Sequence, residues 1–121
     1  MFNEAKFDIT GNVGSISTVG TALKVKICAN LRRRNRNGQW VDHKRWNTVT
    51  VFGAQTQKYI QDHVRKGDLV RATGDIGEDS YQQGEETVYV TTLNVHTFSG
   101  FGGRHAGDNE RAEREDDYIP A

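Results

Sequence analysis

Trp46, Thr48, Thr50 and Phe52 occupy alternate positions in the stretch RWNTVTVFG. Side chains alternate across a strand, so these four share one face while Val49 and Val51 share the other. The valines suit a core, which leaves a large aromatic at each end of the opposite face. At ~3.3 Å per residue, the six residue steps from one ring to the other span roughly 20 Å. That is too far for one small ligand and fits separate bases of an extended strand. Lys44 and Arg45 stand just before the first ring. Aromatics on an open β surface beside cations can stack unpaired bases while the cations neutralise phosphates. From this strand alone, packing of both rings in a core or a subunit interface accounts for the pattern equally well.

Two further groups carry the same chemistry. In LRRRNRNG, Arg32, Arg33, Arg34 and Arg36 place four like charges within five residues, and Asn37-Gly38 is a turn signal. A hairpin tip so charged can embrace a phosphate backbone; a solvated charged loop is the plain alternative. Trp40 follows at once in GQW, where stacking on a base and pinning the hairpin both remain open. Tyr81 in DSYQQG is an aromatic in a loop, placed either to stack or to pack its own turn.

Catalytic and metal chemistry finds no comparable group. His43, His63, His96 and His105 have no metal-ligand spacing with one another or with Cys28. Cys28 sits in a strand pattern as a small apolar residue. There is no phosphate-binding glycine loop and no G-x-S-x-G. The pairs Glu78–Asp79 and Glu85–Glu86 read as solvated loop charge, and no residue nominates itself for a nuclease. The expectation is a non-enzyme with no cofactor and no metal.

The elements that must position these residues follow from periodicity. AKFDITGNVGSIS alternates, with glycines that mark bends or bulges. TALKVKICAN puts Leu23, Val25 and Ile27 on one face and Lys24 and Lys26 on the other. RWNTVTVFG is the third strand. AQTQKYIQDHVRKGD reads as a short helix, with Ile60 and Val64 on one face, Tyr59 and His63 on another, and Gly67 as a stop. LVRATGDI gives a fourth strand with Val70, Ala72, Gly74 and Ile76 on one side. GEDSYQQGEE is then a polar hairpin loop and TVYVTTLNV a fifth strand. Three strands, a helix and two strands is the plan of an all-β, five-stranded OB-fold barrel with one helix between strands 3 and 4.

Composition divides the chain. Residues 104–121 hold three arginines against six acidic side chains, which leaves thirteen basic and ten acidic in the rest. A mildly basic body with an acidic tail is one mark of a nucleic-acid binder with an interaction tail. The expected organisation is a barrel over 1–98, a Gly-rich and charged flexible linker over 99–112, and an acidic tip over 113–121. No apolar run approaches the ~18 residues of a membrane span. The start lacks an apolar h-region, and the lone Cys28 suits a reducing compartment, so the expected location is cytoplasmic, with no membrane partner.

These segments resemble the bacterial-type single-stranded DNA-binding proteins. GNVG at 11–14 is similar to their first-strand motif and NGQWVDHKRWNTVTVFG to their third strand. VRKGDLVRATGDI is similar to their helix end and fourth strand, and SYQQGEETVYVTT to the loop and fifth strand that follow. The ending Asp116, Asp117, Tyr118, Ile119, Pro120, Ala121 resembles the family's acidic tip, which normally closes on Phe. The resemblance implies an OB-fold, a homotetramer (or homodimer), and sequence-independent binding of single strands. It also implies a nucleoid-associated role in replication, recombination and repair, with a tail that recruits replication and repair proteins. It puts Trp46, Phe52 and Tyr81 on base-stacking positions. Near Arg32–Arg34 the family often carries another aromatic, so here a stack is traded for phosphate contacts. The alternative is an OB-fold assembly module of a replication or conjugation complex that mainly binds protein.

Overall fold

The computed structural model describes residues 2–101. Five strands and one helix follow in the order β1 (Lys6–Val19), β2 (Ala22–Arg34), β3 (Trp40–Val51), α1 (Ala54–His63), β4 (Leu69–Gln83) and β5 (Glu86–Gly100). They form a closed barrel in the order β1-β2-β3-β5-β4, the architecture expected from the sequence. The acidic tip, and all of the expected linker after Phe101, lie outside the described residues.

β1 serves two neighbours. Its first half pairs antiparallel with β4, from Lys6↔Asp75 to Asn12↔Leu69. Its second half pairs antiparallel with β2, from Asn12↔Cys28 to Val19↔Ala22, with a bulge between Val13 and Ser15. The Arg71 guanidinium on β4 grips Asp8 on β1 through two hydrogen bonds of 2.9 and 2.6 Å, and holds that carboxyl below its usual range. The barrel shuts where β3 meets β5 in parallel at Thr50↔Asn94. Because these strands run parallel there, the β2–β3 hairpin and the β4–β5 hairpin leave the barrel toward the same end.

The core is what the alternation predicts. Leu23, Val25 and Ile27 from β2, Val49 and Val51 from β3, and Val70 and Ala72 from β4 are buried together. Phe7, Val13 and Leu93 complete the wall, and Ile60 and Val64 close the barrel from the helix side. Burying such aliphatic side chains contributes about 1.5–3 kcal/mol each. Gln57 of α1 fixes the helix to the barrel by donating to the carbonyls of Thr21 and Val51 at 2.9 and 2.8 Å. Tyr59 and His63 meet one turn apart, their rings tilted by 42° with centroids 5.2 Å apart.

Three local expectations change. The helix stops at His63, before Gly67, because the next residues are tied to β1 instead. The Gly67 N–H donates to the Val13 carbonyl at 2.8 Å, and Asp68 Oδ2 accepts from the Arg65 N–H at 2.9 Å. GEDSYQQGEE is not a loop: β4 and β5 continue through it in unbroken pairs as far as Gln83↔Glu86, with only Gly84 and Glu85 at the turn. Ile76, expected on the core side, is 39% exposed, although its partner on β5, Leu93, is buried.

Candidate nucleic-acid interface

The β2–β3 hairpin register decides which residues face together. On one face the pairs are Lys24↔Thr50, Lys26↔Thr48, Cys28↔Trp46, Asn30↔Lys44, Arg32↔Asp42 and Arg34↔Trp40. On the other are Ala29↔Arg45, Leu31↔His43 and Arg33↔Val41. The arginine run is therefore split. Arg32 and Arg34 stand with Lys44 and Trp46, whereas Arg33 and Arg45 point to the reverse side, and Arg36 lies in the turn. That turn is shaped by Asn35, whose Oδ1 accepts from the N–H groups of Asn37 and Gln39 at 2.9 Å each.

Trp46 is half exposed, at 50%. Two neighbours fix its ring. The Lys26 ammonium lies 5.2 Å from its centroid, a cation–π contact. The bulge on β1 brings Gly14 beneath it, where any Cβ would sit 2.5 Å from ring atom Cζ3. The edge of the six-membered ring thus rests on bare backbone, while half of the side chain stays exposed. Phe52 stands one residue past the end of β3 and is 60% exposed. Between the two rings the face is not open throughout: Lys24 Nζ donates to Thr50 Oγ1 at 3.0 Å, and Thr50 is buried.

Trp40 is exposed but engaged. The Arg34 guanidinium lies 5.4 Å from its ring centroid, and both Nε and Nη2 of Arg34 donate to the Gly38 carbonyl at 3.3 Å. Ring, guanidinium and turn form one unit that pins the hairpin tip. Tyr81 stands on β4 opposite Val88, 51% exposed. It belongs to a strand of the second arm and not to a loop.

Charge separates the two arms. Residues 22–51 contain eight lysines and arginines and one acidic residue, Asp42. Residues 69–100 contain Asp75, Glu78, Asp79, Glu85 and Glu86 against Arg71 alone. Asp42 lies 3.7 Å from Arg32 and offsets part of that charge. At the foot of the basic arm is a cleft of about 690 Å³. Trp46, Lys44 and Arg32 line it together with Asn12, Lys66 and Gly67, and the buried Cys28 and Asn30 lie between.

The sequence named Trp46, Lys44 and the arginines but passed over Lys26, Asn30 and Lys66. Lys26 was visible as an outward residue of β2. Its place on the indole depends on the cross-strand register, which no local pattern states. Among the described residues no helix is long and apolar enough to cross a membrane, and no group of three or more His, Cys, Asp or Glu is placed to hold a metal ion.

Comparison with known proteins agrees with the fold. The chain is similar in fold to Rim1, a mitochondrial single-stranded DNA binding protein of S. cerevisiae, at 24% identity and a TM-score of 0.62, covering 83% of this chain and 97% of that one. It is also similar to the Plasmodium falciparum SSB solved in complex with ssDNA, at 15% identity and a TM-score of 0.69, covering 84% and 97%. For the Thermus aquaticus single-stranded DNA binding protein the values are 14% and 0.67, over 82% of this chain and 51% of that one. No curated protein matches the chain. The sequence model of the Single-strand binding protein family matches residues 6–100, the whole barrel from the first strand to the last, and the chain belongs to that family.

Proposed function

We propose that this chain binds single-stranded DNA with little regard to sequence and protects it during replication, recombination and repair. The observation that carries the reading is the half-open Trp46 set among Lys26, Lys44 and Arg32 on one face of the β2–β3 arm. An indole stacks on any base, and cations around it neutralise phosphates without reading bases. Phe52 and Tyr81 are further stacking positions. Lys44 and the arginines at 32, 34 and 36 hold the backbone from the front of the arm, and Arg33 and Arg45 from its reverse side. Trp40 organises the tip with Arg34 and offers its exposed edge. No step in this reading needs a catalyst, metal or cofactor.

Salt titration of a labelled oligonucleotide tests it. Poly-dT is expected to bind far more tightly than duplex of equal length, since paired bases do not offer their faces. Affinity should fall as salt rises. Replacing Arg32, Arg33 and Arg34 together with alanine should flatten the salt dependence by about one to three phosphate contacts while base preference is unchanged. Equal affinity for duplex and poly-dT would end the reading, and an unchanged salt slope would remove the arginines from the bound surface. Light scattering in the same samples reads the mass of the assembly, expected to be a homotetramer, with a homodimer as the smaller alternative.

The acidic ending, Asp116 to Ala121, extends the proposal to protein partners of replication and repair. Its carboxylates suit a basic rim, and Tyr118, Ile119 and Pro120 suit an apolar pocket. Deleting residues 113–121 is expected to abolish co-purification of such partners and to leave DNA binding intact or slightly tighter at low salt. Equal recovery of partners with and without the tip would reduce the tail to solvating charge.

A further inference from the structure

This inference rests on the single-strand reading and concerns one residue in the cleft beside Trp46. Asn30 is only 6% exposed, yet its Oδ1 is sealed from solvent without a hydrogen-bond partner. Buried polar groups are ordinarily paired, and an unpaired amide is a net cost to the fold. The neighbours do not relieve it. Asn12 spends its amide on the Gly67 carbonyl at 3.0 Å, and Arg32 leans on Asp42 at 3.7 Å. An apolar side chain of the same shape on β2 would pack there with no such cost.

Its position suggests what completes it. Asn30 lies opposite Lys44 and Cys28 lies opposite Trp46, so Asn30 and Trp46 are diagonal neighbours on one face. Diagonal neighbours stand about 7–8 Å apart, within reach of a common aromatic ligand. Both line the same cleft. A base lying on the indole there would present its polar edge toward Asn30, with Lys44 and Lys66 at the margin for the phosphates. A carboxamide has a donor and an acceptor of nearly equal size, and a half-turn about χ2 exchanges them. Each of the four bases carries both kinds of group on its free edge.

We propose that Asn30 is the hydrogen-bonding partner of the base that stacks on Trp46, its amide turning from its sealed position into the cleft to suit whichever base arrives. The cleft is thereby a nucleobase site and not merely a phosphate channel. Binding remains tolerant of sequence, but it favours a base with a polar edge.

The test uses the full chain and two probes of equal length. One is poly-dT; the other carries 2,4-difluorotoluene in place of every thymine, which keeps shape and stacking but loses the hydrogen-bonding edge. Wild-type protein should favour poly-dT. In Asn30→Leu that preference should shrink by about fivefold, the effect of one hydrogen bond, while thermal stability is equal or higher. Asn30→Ala serves as the second variant should leucine disturb the fold, with the same expected loss of preference. A preference ratio identical in wild type and both variants would overturn the role of Asn30 while leaving single-strand binding standing. Failure of wild type to bind poly-dT at all would instead sink the reading on which this one rests.

Discussion

Trp46→Ala is expected to weaken binding to poly-dT by about 1–3 kcal/mol, the usual effect of removing one base-stacking ring. The barrel should remain folded, because half of the indole faces solvent and the buried wall on the other side of β3 is built from Val49 and Val51. Lys26 would lose its cation–π partner, a contact worth about 0.5–1 kcal/mol at an exposed site, so a small loss of stability accompanies the change. Fluorescence or anisotropy titration at fixed salt measures the first effect and thermal melting the second. A variant that unfolds or changes its oligomeric mass would show that the ring is a packing or interface residue, and the stacking role would fall.

Gly74→Ala is expected to be the more damaging change to the fold. A Cβ at Gly74 would lie 1.8 Å from the Asn94 carbonyl oxygen and 2.9 Å from the Phe7 ring. Both the glycine and the obstructing oxygen are backbone, so no side chain can swing aside. The approach arises because β5 carries an extra residue, His96, between the pairs Thr73↔Thr97 and Gly74↔Val95. Asn94 is also the residue that meets Thr50 where the barrel shuts. Forcing β4 and β5 apart therefore strains the seam itself. A loss of about 3 kcal/mol, at the upper end for overpacking, corresponds to roughly 10–20 °C in melting temperature for a domain of this size. An unaltered melting curve would mean that the bulge accommodates a methyl group by shifting as a unit.

The core was legible because it obeys one rule. Leu23, Val25, Ile27, Val49 and Val51 alternate with polar residues, and each is buried. That rule is silent wherever both faces meet solvent. Hence residues 77–86 look like a loop although most of them are strand: a ribbon projecting beyond the barrel has no apolar side to mark its period. The arginines illustrate a second limit. Their number was plain, but the division of Arg32 and Arg34 from Arg33 depends on which residue of β3 lies opposite each. Thr50 shows a third. Its parity places it with Trp46 and Phe52, but Lys24 from the adjacent strand reaches over it and takes it from solvent. The composition that suggested a weakly basic body concealed the stronger fact that positive charge gathers on one hairpin and negative charge on the other.

Two arms that leave the barrel toward the same end and carry opposite charge make a one-sided track. A polyanion between them is drawn to the β2–β3 arm and fended off by Glu78, Asp79, Glu85 and Glu86 on the β4–β5 arm. Its phosphates are then held near the cations of the basic arm, with bases between them that can lie on Trp46 of that arm or turn across the gap toward the other. Tyr81 stands on the acidic arm. It can meet the face of an outward-turned base without bringing a phosphate near the carboxylates around it. The fence of negative charge thus sets where the phosphates of the strand lie, before any base is read.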